Sequence, residues 1–234
     1  MSAKNRIDLI VSSGRSKLQF THFLSIAFTT SEIRDNFLKF KQQVLSDSEI
    51  FGIDSSLFQA PQKLHLTIAT LALLDNEDRS IAAELLQDCK EMIIQPILRG
   101  DPLIVKLCGL NYMNDDPSSI DVLYGMIVSD RLQEISNAIA QYFASRGYSQ
   151  LKNEHVKLHV TLLNSLFRDN DDAIENEESF GRDIKRMTLD ATTILKKHKD
   201  FYFGEMQVNE IQLSQRYSKS SNGFYEATGT IKLN

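Results

Sequence analysis

The residues of this chain best suited to chemistry are two histidines and two threonines in matched settings. Lys63-Leu64-His65-Leu66-Thr67 recurs as Lys157-Leu158-His159-Val160-Thr161. Side chains alternate faces along a strand with period two. Lys63, His65 and Thr67 therefore share one face, and Leu64, Leu66 and Ile68 the other. Lys157, His159 and Thr161 oppose Leu158, Val160 and Leu162 in the same way. Each strand would bury an aliphatic face and offer imidazole, hydroxyl and ammonium on the opposite one. Two such strands around one cleft suit phosphoryl chemistry. One histidine can take a proton from the attacking oxygen while the other gives one to the leaving oxygen. The threonine hydroxyls can donate to the non-bridging oxygens as charge builds. A single His-x-Thr in a strand is usually structural; two copies with matched flanks carry the argument. Two histidines can handle both proton transfers, so the scheme needs no metal and no cofactor.

The elements that must position these strands follow from patterning. The stretch 20–28 (FTHFLSIAF) reads as a strand. Ser31 is expected to cap a helix that buries Ile33, Phe37, Phe40 and Val44. The first histidine strand is placed at about 63–73. Asp75 then caps a second helix with the stripe Ile81, Leu85, Cys89, Met92 and Ile93, stopped by Gly100 and Pro102. Residues 103–113 and 120–128 form a strand pair around Asn114-Asp115-Asp116-Pro117. Ser129 starts a third helix through Leu132, Ile135, Ile139 and Phe143, with Gly147 as its stop. The second histidine strand follows at about 156–165. A fourth helix is expected over 182–198, through Ile184, Met187, Ala191, Ile194 and Leu195. A terminal hairpin is expected from 205–216 and 223–233, turned at Asn222-Gly223. The order of elements suggests two related lobes.

Composition narrows the class. The chain has 234 residues, 42% of them hydrophobic, enough for a sizeable core. Its net charge of −5 gives no broad electrostatic footprint for duplex nucleic acid, so any such contact would be local to the cleft. There is no membrane-spanning run or signal-peptide pattern. Cys89 and Cys108 lack metal-ligand spacing and read as buried thiols in a reducing compartment. Residues 169–178 (DNDDAIENEE) are strongly acidic. They fail as a calcium loop, because Ile174 stands at the sixth position and Phe180 at the twelfth. They read as a solvated loop.

The paired motifs, the bilobed order and the size resemble the two-histidine (2H) phosphoesterase superfamily. Residues 21–28 (THFLSIAF), 54–67 (DSSLFQAPQKLHLT), 111–124 (NYMNDDPSSIDVLY) and 157–168 (KLHVTLLNSLFR) carry the resemblance, with Phe203-Gly204 and Asn222-Gly223-Phe224-Tyr225 near the end. Within the superfamily they are similar to the phosphodiesterase domain of the activating signal cointegrator 1 complex and the nucleotide-binding domain of an A-kinase anchoring protein. The resemblance implies an α+β bilobed fold, with two antiparallel-rich sheets flanked by helices around a central cleft. It covers residues 19–234. Residues 1–18 are then a linker or the remnant of an upstream RNA-binding KH domain. The catalytic set it implies is His65, Thr67, His159 and Thr161.

The expected substrate is an RNA end or a nucleotide 2′,3′-cyclic phosphate. Lys63 and Lys157 are candidates for phosphate contact. Phe23 and Tyr225 are candidates for stacking on a base, with Tyr112 and Tyr124 as others. His22, His155 and His198 lack the motif context and read as structural or surface residues. The resemblance further implies a subunit of a larger nuclear complex concerned with transcription or nucleic-acid repair. Two other readings compete with catalysis. One is a binding module that holds an AMP- or CMP-like ligand, or RNA, with little turnover. The other is a scaffold subunit with a relic cleft.

Overall fold

The computed structural model describes residues 20–149, 155–168 and 187–233. Eight strands form two four-stranded antiparallel sheets. One has the order β2-β1-β7-β8 and the other β5-β4-β3-β6. The strands are β1 His22–Ala27, β2 His65–Leu71, β3 Ile104–Tyr112, β4 Val122–Val128, β5 His159–Asn164, β6 Tyr202–Gln207, β7 Glu210–Gln215 and β8 Ala227–Lys232. Two histidine strands thus lie at the edges of different sheets, and these edges lie against each other.

The helices are α1 Ser31–Ser46, α2 Asn76–Cys89, α3 Asp130–Ser145 and α4 Thr192–His198. α1 buries Ile33, Phe37, Phe40 and Val44 as the spacing requires. Its N-cap is Thr30 rather than Ser31, and no side chain bonds there. Asp75 does cap α2, accepting from the Asp78 amide at 2.8 Å. Ser129 caps α3 by accepting from the Leu132 amide. α1 joins β1 to β2 yet packs on β6 of the other sheet, and α3 joins β4 to β5 yet packs on β2. Each lobe's connecting helix therefore braces the opposite sheet. Gly204 of β6, at φ 145°, permits the close approach of α1: a Cβ there would lie 2.9 Å from Ile33 Cγ1.

Three further expectations are corrected. α2 passes into a π-helical turn, Lys90–Ile94, before a last turn at Gln95–Leu98. The wider turn rotates the buried face, so Ile94 and Leu98 are buried while Met92 is exposed. The segment 205–216 is not one strand. β6 belongs to one sheet and β7 to the other, and the chain crosses between them over Val208-Asn209. Val208 is buried there, with its amide on the Leu103 carbonyl, and the Asn209 carbonyl accepts from Leu233. The hairpin is β7–β8 alone, joined by a long loop rather than a two-residue turn. Finally, α4 begins only at Thr192. Met187 is exposed, and Leu189 makes an isolated bridge to Ile120 instead of a helical turn. The terminal segment 1–18, the acidic stretch 169–178 and residues 182–186 lie outside the described residues.

Candidate active site

The two motifs occupy equivalent places. The burial of β2 runs half-buried, buried, half-buried, buried, buried from His65, and β5 repeats it from His159. Leu64, Leu66, Val160 and Leu162 are fully buried. This is the aliphatic back expected of each strand. Both strands meet their inner neighbour across a bulge at the same register. Thr67 faces Ser25 and His65 faces Ala27 beyond a break at Leu24/Ser25. Thr161 faces Tyr124 and His159 faces Met126 beyond a break at Leu123/Tyr124. Bulges re-aim side chains where a site needs it.

Both imidazoles are fixed by the same device. His65 Nδ1 lies 2.6 Å from the Lys63 carbonyl oxygen, and His159 Nδ1 lies 2.7 Å from that of Lys157. A carbonyl can only accept, so Nδ1 carries the proton in each ring. Each Nε2 is left with its lone pair, and each is a base. Among the described residues neither Thr67 nor Thr161 spends its hydroxyl on a protein partner.

The two settings differ in basicity. Burial pushes His65 down to about 4, and the charge of His159 adds to this against the upward pull of the Lys63 carbonyl. His159 is lowered too, first by burial, with the Lys157 ammonium adding to it. A proton on His159 bears on His65, so the two imidazoles share one electrostatic space.

The aromatic walls also differ. Tyr124, from the strand beside it, meets His159 edge-on at 5.3 Å. The equivalent position in the other lobe is Ser25, whose small hydroxyl bonds Ser214 at 2.8 Å. The space is filled from elsewhere: Phe23, Phe224 and Tyr225 lie 5.2, 6.2 and 5.4 Å from the His65 ring. Phe23 is 7% exposed and supports His65 and Tyr225 from behind. It offers no open face to a base, whereas Tyr225 is only half-buried.

The motif lysines are not strand residues. Pro61–Lys63 forms a 3₁₀ turn ahead of β2, and Lys157 likewise precedes β5. Pro61 fixes a helical φ at the start of that turn, so the alternation begins only at His65. The ammoniums nevertheless reach the site. Lys63 Nζ lies 4.7 Å above the Tyr225 ring and Lys157 Nζ 5.2 Å above Tyr124. No ion pair involves either among the described residues.

The remaining histidines stand apart. His22 is buried between Thr21 and Thr228 hydroxyls, His155 bonds Asn137, and His198 packs on Phe40. Tyr112 packs against the core. Phe224 and the Ser25–Ser214 pair were not foreseen. Phe224 adjoins a residue that was singled out, but Ser25 carries no local signal. Cys89 is buried, and burial pushes its thiol up to about 12, leaving it inert. Among the described residues no three or more His, Cys, Asp or Glu side chains cluster to hold a metal ion, and no helix is long and apolar enough to cross a membrane.

The profile of the AKAP7 2'5' RNA ligase-like domain matches residues 20–233. The chain belongs to the two-histidine phosphoesterases. This two-histidine phosphoesterase is 39% identical over 241 residues to activating signal cointegrator 1 complex subunit 1 of Mus musculus, across 99% of its own length and 68% of the relative's. Solved structures share its fold. A phosphoesterase crystal structure aligns at TM-score 0.55 with 19% identity, covering 92% of this chain and 98% of that one. E. coli LigT complexed with NADP+ aligns at 0.54 with 19% identity, covering 93% and 99%. The α+β architecture of two antiparallel sheets with helices is thus the expected one.

Proposed function

We propose that this chain is a metal-independent phosphodiesterase that acts on RNA ends or nucleotide 2′,3′-cyclic phosphates through His/His acid–base catalysis. The observation that carries the reading is the matched pair of imidazoles. Each is locked by its Nδ1–H on a backbone carbonyl, and each has a threonine two residues on whose hydroxyl is uncommitted among the described residues. His65, the harder of the two to protonate, is the base. Its Nε2 takes a proton from water or from a ribose 2′-hydroxyl. His159 accepts a proton as the anionic substrate binds and gives it to the departing ribose oxygen. Thr67 and Thr161 donate to the non-bridging oxygens. Lys63 and Lys157 add positive potential, and Tyr225 offers its face to a base. The cointegrator relative supports placing the chain as a subunit of a nuclear complex acting in transcription or nucleic-acid repair.

The test is incubation in EDTA with short RNAs ending in 2′,3′-cyclic phosphate or 3′-hydroxyl, with products resolved by mass. Turnover is expected without metal, and the product mass names the bond cut. Nucleotide bound for hours and recovered unchanged would replace catalysis with the binding-module reading.

The basicities set the pH profile. The free enzyme needs His65 neutral and His159 protonated. The profile of kcat/KM should rise through about pH 4, where His65 loses its proton, and fall as His159 loses its own below 6.5. The optimum is therefore expected on the acid side of 6.5. Initial rates at constant ionic strength across pH 4–9 check this, and an optimum above 7 would remove His159 as the acid.

A further inference from the structure

The loop between β7 and β8, residues 216–226, is a built element of the site. Ser218 Oγ donates to the Gln215 carbonyl at 2.6 Å and accepts from the Glu226 amide at 2.8 Å. The Ser220 amide donates to the Phe224 carbonyl, and the Asn222 side chain accepts from the Phe224 amide. The loop is also tied down. Gln212 donates to the Tyr225 carbonyl at 2.9 Å, and Gly223, at φ 85°, sits where a Cβ would be 3.2 Å from Gln62. Gln62 belongs to the turn that carries Lys63. This fixes Tyr225 against His65 and beneath the Lys63 ammonium.

The same loop carries Lys219 between Ser218 and Ser220, whose bonds to the Glu226 amide and the Phe224 carbonyl hold it on the two sides of Tyr225, and its charge opposes that of Lys63. Neither enters an ion pair among the described residues, nor does Glu226, the one carboxylate of the loop. Among the described residues the other half of the site has no such loop: Tyr124 comes from its own sheet, and Lys157 meets that ring and Met113 Sδ. A chain of net charge −5 therefore holds two ammoniums beside His65 with no ion-pair partner among the described residues. Like charges held together without a counter-charge raise the local potential for an anion.

We propose that Lys63, Lys219 and the 216–226 loop form a second anion subsite beside His65, which takes the phosphate neighbouring the one that reacts. The preferred substrate is then the end of an RNA strand rather than a mononucleotide. The inference rests on the cleft being the phosphodiester site. It adds that the strand runs out of the cleft on the His65 side, with Tyr225 between the two phosphates.

The experiment uses the full chain and three substrates. They are a nucleoside 2′,3′-cyclic phosphate, the same compound with a 5′-phosphate, and a trinucleotide ending in that cyclic phosphate. KM and Kd are measured for the unaltered protein and for Lys219→Ala, Lys219→Arg and Lys196→Ala. Lys219→Ala should raise the trinucleotide values about three- to tenfold more than those of the nucleoside cyclic phosphate. It should also make the slope of log affinity against log salt shallower by about 0.7 for the trinucleotide. Lys219→Arg should restore both. Lys196→Ala removes the same charge from α4 and should leave both unchanged. A Lys219→Ala loss equal on all three substrates, or no loss, overturns the subsite. A loss confined to the 5′-phosphorylated nucleotide overturns the strand assignment in favour of a terminal phosphate. If the unaltered protein neither binds nor converts any of the three, the phosphodiester cleft falls and the subsite with it.

Discussion

Replacing His65 by Ala is expected to lower kcat on a cyclic phosphodiester by about 10²- to 10⁴-fold, and His159→Ala by a similar factor. The double variant should fall little further, because the two rings serve one proton-transfer sequence and their losses do not add. The roles separate when the leaving group is changed. On an aryl phosphodiester the departing phenolate needs no proton, so His159→Ala should recover most of its loss. His65→Ala should not, because the attacking water still has to be deprotonated. Steady-state rates on the two substrates check the assignment. Equal recovery of both variants would reverse or abolish the distinction that the lower basicity of His65 draws. Both rings are half-buried, so thermal unfolding beside each assay shows whether a variant has lost chemistry or fold.

The parts of this arrangement visible in the sequence are those that repeat over short spans. The alternation that buries Leu64 and Leu66 beneath His65 is written in five residues, and the helix faces of α1 and α3 in a dozen or so. The parts that were not visible depend on partners far along the chain. Nothing near Ser25 says that it occupies the place Tyr124 takes in the other lobe, or that Tyr225 will fill the gap. The crossing at Val208-Asn209 was missed because no Gly or Pro marks it; its one local signal is the change of phase from Met206 and Val208 to Ile211 and Leu213. The π-helical turn after α2 was missed because one inserted residue shifts the buried face without changing composition. Lys63 was misplaced for a different reason. Period two was carried back to Lys63, which still belongs to the turn that Pro61 starts.

Phe40→Ala is expected to cost about 3–5 kcal/mol of stability, the usual loss for a fully buried phenylalanine. Its ring lies 5.3 to 6.4 Å from those of Phe201, Phe203, His198 and Phe58. Phe40 belongs to α1, which is tied covalently to the His65 strand, while Phe203 belongs to β6 in the sheet of His159. Asn36, one turn earlier on α1, donates to the Phe203 carbonyl at 3.0 Å. Phe58 makes a bridge to Leu163 of β5, and the next amide, Gln59, donates to Leu162 at 2.8 Å. One side chain thus packs where both sheets and the edge of the second histidine strand converge. Urea unfolding should show a lower midpoint with an unchanged slope. Phe40→Leu keeps most of the volume and should cost less than half as much. None of these ring partners of Phe40 belongs to a motif, so any fall in kcat that follows the stability loss reports the spacing of His65 and His159, which this convergence helps to hold. A loss below about 1 kcal/mol would mean that the sheets are held together elsewhere.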